Sequence, residues 1–159
     1  MTFDALNDLL ISYEQTKIEM LFDFDIYFNE LFHSYFNEYD IENIPMYVLG
    51  FMEIDNWQGM AQRCGVWQYY ESRSYEPKKL EAVINLLENQ GEEEFVNVFA
   101  SGIHDYANSE YEENFNYPVE WLEQSNSIDN WIYENERKIY QLKRKLIISN
   151  KDEILKLSE

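Results

Sequence analysis

Residues 77–99 read PKKLEAVINLLENQGEEEFVNVF, and this stretch decides the fold. Leu80, Val83, Ile84 and Leu87 recur at the three- and four-residue spacing of one helical face. Pro77 suits the first turn of that helix, where a missing N–H costs nothing, and Gly91 is a natural left-handed residue just past its end. Glu92, Glu93 and Glu94 follow, three carboxylates placed to complement the positive end of a second helix dipole. Phe95, Val98, Phe99 and Ile103 then continue the apolar stripe. The segment predicts helix, glycine stop, helix.

The same periodicity extends both ways. Leu6, Leu9, Leu10, Tyr13 and Ile18 suggest a first helix, and a second runs from about 25 to 36 with Ile26, Phe28, Leu31, Phe32 and Tyr35 inward. Pro45 opens a third that includes Tyr47, Val48, Phe51 and Met52; residues 41–51 are also the one place for a short strand. A loop rich in Asn, Glu and Tyr is predicted over about 107–117, and Pro118 starts a short helix through Trp121 and Leu122. Ser127 then caps a last long helix carrying Ile128, Trp131, Ile132, Ile139, Leu142 and Leu146. Five Gly and three Pro in 159 residues favour long helices over a turn-rich β-sandwich. The expected fold is all-α, a single compact multi-helix domain over 1–159 with little or no β structure.

Composition narrows the class. Apolar residues at 45% and aromatics at 17% exclude a disordered acidic tail. One cysteine, Cys64, excludes an intrachain disulfide framework and a multi-cysteine metal site. The longest apolar run, residues 46–52, is too short to span a bilayer, and Asp4 and Asp8 stand where a basic leader segment would be. The expectation is a protein of the reduced cytoplasm with no membrane partner.

Charge is the strongest functional signal. The net charge is −19, from 31 acidic and 12 basic residues. Twelve carboxylates and only Lys17 fall in 1–62; twelve carboxylates and no cation fall in 92–136; seven cations against three acids close the chain. Such a surface repels nucleic acid and attracts basic protein faces. The densest strip comprises Glu92, Glu93, Glu94, Glu110, Glu112, Glu113, Glu120 and Glu123, with Asp23, Asp25 and Glu30 as a second. A solvated acidic face that serves solubility explains the same runs.

Between 53 and 92 a family pattern emerges. Gly65-Val66-Trp67-Gln68-Tyr69-Tyr70-Glu71-Ser72, then Leu80-Glu81-Ala82-Val83 and a stop at Gly91, resembles the core of the DUF4375 family, also called the DNA mimic protein DMP19 family. Ile128-Asp129-Asn130-Trp131-Ile132-Tyr133 is similar to that family's signature before its final helix. The resemblance covers about 53–150, with helices 1–52 packed on that core, and its motif positions are Gly65, Trp67, Gln68, Tyr69, Asp129 and Tyr133. Cys64, Val66 and the missing Ile before Gly91 depart from the pattern. The resemblance implies an all-α acidic protein whose carboxylates stand in for phosphates on a transcription factor. Fold transfers across a family better than partner does.

Chemical constellations are thin. Glu30 and His33 have the Glu-x-x-His spacing of di-iron bundles, but Ser101 stands three before His104, so the second pair is absent. His104-Asp105 lacks the further histidines of a metal-dependent phosphohydrolase. Cys64 reads as a small buried hydrophobe. Gly65 reads as a special-backbone or close-packing position, and Gln68 as a polar plug in the core or the lining of a ligand pocket. Trp57, Trp67, Trp121 and Trp131 serve either core packing or an aromatic pocket. No catalytic residue, metal or cofactor is assigned.

The expected function is therefore protein binding: a DNA mimic that occupies the basic surface of a DNA-binding protein. The alternative is an immunity or antitoxin-like inhibitor of a basic toxin such as a nuclease. A small-molecule-binding protein or an enzyme using Cys64, Gln68 and His104 stands third. Direct nucleic-acid binding is not expected, and a homodimer joined through the basic last segment is a further option.

Overall fold

The computed structural model describes residues 1–112 and 116–158, with the side chains of 34–38 and 112 excepted. The fold is all-α. Among the described residues the regular elements are α1 (Phe3–Gln15), α2 (Phe22–Glu38), α3 (Met46–Arg63), α4 (Trp67–Arg73), α5 (Pro77–Asn89), α6 (Glu93–Ser101), α7 (Ser109–Glu112), α8 (Val119–Glu134), α9 (Glu136–Ser149) and α10 (Lys151–Leu155), with three short 3-10 turns. None is a strand. The strand allowed over 41–51 is replaced by a 3-10 turn at Ile41–Asn43 and by the start of α3, which leaves no neighbouring strand for the segment to pair with.

The chain divides into two compact units, Met1–Met52 with Glu136–Glu159, and Glu53–Asn135. The resemblance segment of about 53–150 is shared between them. The divisions fall inside α3 and between α8 and α9.

In the first unit α1 packs on α9 and α10. Its core is aromatic: Tyr13 meets Phe28 edge-on at 4.8 Å, Phe28 meets Phe51 at 5.8 Å, and Phe32 meets Phe51 at 5.6 Å. Edge-to-face pairs of this kind add about 0.5–1.5 kcal/mol each beyond area burial. Ile139, Leu142, Leu146 and Ile147 complete the core from α9. Two expectations change here. Ile18 lies in a separate 3-10 turn rather than in α1. Ile26 faces outward while Asp25, one position earlier, is buried against Lys143. Tyr35 has a side chain outside the described set.

In the second unit α5 packs on α4 and α6, and α8 packs on α4 and α6. The α5–α6 junction forms as its sequence dictates. Gly91 has φ +71, the Glu92 amide donates to the Leu87 carbonyl at 3.0 Å, and the Gly91 amide donates to Glu88 at 3.0 Å. These two bonds satisfy carbonyls that a helix end otherwise leaves open. Trp57 sits at the centre: its Nε1–H donates to the Tyr70 hydroxyl at 2.9 Å, and that hydroxyl donates to the Phe99 carbonyl at 2.9 Å.

The C-terminal helix differs from expectation in its limits. Val119–Glu134 is one helix, and Ser127 lies within it, its hydroxyl donating back to the Glu123 carbonyl at 3.0 Å instead of capping an amide. The break comes at Asn135 (φ −113°, ψ 20°), whose side-chain amide and backbone N–H both donate to the Trp131 carbonyl at 2.9 Å. Part of the predicted 107–117 loop is helical, as α7. No helix among the described residues is long and apolar enough to cross a membrane.

Candidate functional site

The carboxylates nominated from sequence meet different fates. On α6, Glu92 occupies the N-cap position and is half-buried, while Glu93 and Glu94 are exposed in the first turn. Glu94 Oε1 accepts from the Trp131 indole N–H at 3.2 Å, which ties the α6 start to α8. Glu110 is exposed on α7, and Glu120 and Glu123 are exposed on α8. Glu112 has a side chain outside the described set, and Glu113 lies outside the described residues.

The α8 carboxylates share one outward stripe. At about 100° per residue, Glu120, Glu123 and Glu134 fall within roughly 60° of one another, and Ser125, Ile128 and Ile132 face inward. Their axial separations are about 4.5 Å and about 16 Å at 1.5 Å rise per residue.

The second nominated strip does not survive intact. Asp23 and Glu30 are exposed, but Asp25 is buried and paired with the fully buried Lys143. A carboxylate held inside by its own counter-ion offers nothing to a partner, so Asp25 leaves the candidate surface. Glu19 nearby is also engaged, by Arg137 at 3.0 Å. The C-terminal cations thus neutralise part of the N-terminal acidic block; Arg144 adds a bond to the Thr16 carbonyl at 2.7 Å. That guanidinium borders an open groove of about 380 Å³ lined by Glu14, Gln141, Arg144, Lys145, Ile148 and Ser149.

Of the motif residues, Gly65, Trp67 and Asp129 are brought together, and Tyr69 is anchored separately. The Val66 amide donates to Asp129 Oδ1 at 2.8 Å, fixing the start of α4 to α8. Burial raises the Asp129 carboxyl above its usual range, and the Val66 amide opposes that rise. Gly65 has φ +97, and a Cβ there would sit 2.9 Å from the Trp67 ring, so both backbone and space demand glycine. Tyr69 is buried and donates to Glu53 Oε2 at 2.8 Å; Arg73 Nε donates to the same oxygen at 2.7 Å. Burial, then the Glu53 charge, pushes the Tyr69 phenol well above its ordinary value. Gln68 is half-buried, and Tyr133 stands apart at 85% exposure.

Sequence reading did not find Glu53, and it gave Glu71 no role beyond its place in the 65–72 run. Glu71 accepts a short bond from Tyr117, in a cluster where Tyr106 meets Tyr117 at 4.9 Å and Trp121 at 5.2 Å. Burial, then Glu71, pushes Tyr106 up to about 12. His104 stacks on Trp121 at 4.8 Å, and burial lowers its pKa. Nothing local in the sequence marks either glutamate, because the groups that hold them lie 16 to 46 residues away. Trp57 is buried in the core and packs at 6.2 Å against the half-buried Trp131.

One chemical candidate is relocated. Cys64 is exposed, with its thiol 3.6 Å from the Met60 sulfur; it follows α3 at the surface, not in the core. Glu30 and His33 are both exposed on α2. Among the described residues no group of three or more His, Cys, Asp or Glu is placed to hold a metal ion. Compared with known proteins, the chain matches no family model, no curated protein and no solved structure.

Proposed function

We propose that this chain acts by binding, and that carboxylates of the 53–135 unit occupy the cationic face of a DNA-binding protein in place of phosphates. The observation that carries the reading is the exposed set Glu93, Glu94, Glu110, Glu120, Glu123 and Glu134 in a segment, 92–136, that contains no Lys or Arg. Two of the unit's cations are committed elsewhere, Arg73 to Glu53 and Glu76, and Lys79 to Glu76. Helices hold these acids at fixed spacing, as rigid phosphate substitutes require. Duplex DNA carries about one phosphate charge per 1.7 Å of axis, and proteins that bind it meet that charge with Lys and Arg, so a field of this sign meets the same groups. The resemblance of 65–72 and 128–133 to the DNA mimic family supports the same reading.

The test is capture from the native lysate at increasing salt, followed by displacement. A recovered basic protein that releases its duplex DNA when this chain is added supports the proposal. Recovery of a single toxin whose activity is blocked, with no effect on DNA binding, favours the inhibitor reading. A recovered DNA-binding protein that keeps its DNA at saturating chain overturns the mimic.

A further inference from the structure

The outward face of α2 runs against the usual hydrophobic order. Asp25 points inward at 5% exposure, held by Lys143, whereas Phe22, Ile26 and Tyr27 stand 58%, 56% and 50% exposed. At about 100° per residue, Phe22, Ile26, Tyr27, Asp23 and Glu30 fall within one arc of roughly 140°. Leu21, Phe28 and Phe32 are buried on the other side. Met20, in the turn that precedes α2, is also exposed, at 57%. A turned helix that buried Ile26 would need no ammonium in the core. The chain instead keeps a buried ion pair and leaves large apolar groups in water.

Contiguous exposed apolar surface with polar residues among it marks an interaction site. We propose that this face docks a cationic amphipathic helix of a partner protein. Phe22, Ile26 and Tyr27, at i, i+4 and i+5, form a ridge that fits between the side-chain rows of a second helix. Their size suits them as anchors, since interface energy concentrates in a few large side chains. Asp23 and Glu30 among them select Lys or Arg at the rim; residues 18–62 contain no cation, and the nearby Arg137 is paired with Glu19. A second copy is the poorer occupant, because each chain brings −19. The surface belongs to the other unit from the carboxylates of the proposed DNA-mimic face and does not rest on them.

The probe is a synthetic Leu/Lys amphipathic peptide of about 18 residues, long enough to hold a helix, with a Leu/Glu peptide of the same pattern as control. Titration into the full chain at about 0.3 M salt suppresses diffuse attraction. The Ile26 methyl resonance is expected to move with saturation, and Phe22→Ala/Ile26→Ala/Tyr27→Ala is expected to weaken binding by about tenfold or more. The Leu/Glu peptide should not bind. An Ile26 methyl that stays still at saturation overturns the proposal, as does wild-type affinity in the triple variant. Concentration-dependent doubling of mass that the triple variant abolishes would assign the face to a second copy and also overturn it. If the triple variant does not fold, the wild-type Ile26 methyl decides alone. None of these readouts involves the α8 carboxylates, so failure here and failure of the DNA-mimic reading are separate results.

Discussion

Lys143 and Asp25 are bonded inside the first unit although 118 residues separate them in the chain. The ammonium also lies 4.5 Å from the Tyr140 ring centroid and 5.8 Å from that of Phe51, so aromatic faces share its charge. Removing one ion of such a pair strands the other. Lys143→Met alone is expected to cost about 3–5 kcal/mol, and Asp25→Leu/Lys143→Met to recover most of it. Urea unfolding of the three proteins checks this; a double variant as unstable as the single would mean that the pair is not what Lys143 contributes.

Gly65→Ala sets φ +97 against a side chain and drives its Cβ toward Trp67. The expected loss is about 1–3 kcal/mol. Gly91→Ala, with φ +71 and open space around it, meets only the backbone penalty of about 1–2 kcal/mol. Melting temperatures of the two variants should rank in that order.

Alkaline pH should unfold the second unit. Tyr69, Tyr70, Tyr106 and Tyr117 all have phenols raised first by burial, Tyr106 to about 12. A folded value above the unfolded value of about 10 keeps the proton on the native state. The stabilisation is complete below pH 10 and is lost as pH rises toward and through 12. His104 works in the opposite direction: its lowered folded value gives stability above about pH 6.5 that declines as pH falls. Phenolate absorbance followed together with circular dichroism should show these tyrosines ionising only with unfolding.

Neutralising the α8 stripe should change association with a basic partner more than stability. Glu120→Gln/Glu123→Gln removes two exposed charges. If each faces a partner cation that otherwise binds phosphate, the dependence of log affinity on log salt becomes shallower. Unfolding should shift by no more than about 0.5 kcal/mol. An unchanged salt slope would place the contact elsewhere.

The thiol of Cys64, exposed after α3, should react fully with a thiol reagent in the native protein. Protection until denaturant is added would contradict that position.

Much of the fold was legible wherever local chemistry decides it. Pro77 and Gly91 bound their helix because both act through their own backbone, and the three- and four-residue spacing located α1, α5 and α6. Ile26 was misread because facing is decided by Asp25, whose burial depends on a lysine near the other end of the chain. Ser127 looked like a cap, since nothing local tells a serine whether it will meet an amide or the carbonyl four residues back. Asn135 ends α8 with a side chain that bonds the same carbonyl as its own amide, a contest that periodicity does not register. Of the candidate surface, the carboxylates on α6 to α8 were legible as charge. Of the exposed apolar ridge on α2, Ile26 was hidden behind its apparent suitability for the core, and Phe22 and Tyr27 carried no local mark of exposure.

The division at Met52 and Asn135 sets an order of assembly on the ribosome. Asp25 emerges 118 residues ahead of Lys143, a delay of about 6 to 24 seconds at 5–20 residues per second. Throughout that interval its carboxylate lacks Lys143, the ammonium it is bonded to in the fold. Every residue of 53–135 has been made before α9 begins. The middle of this protein is complete before its beginning can close.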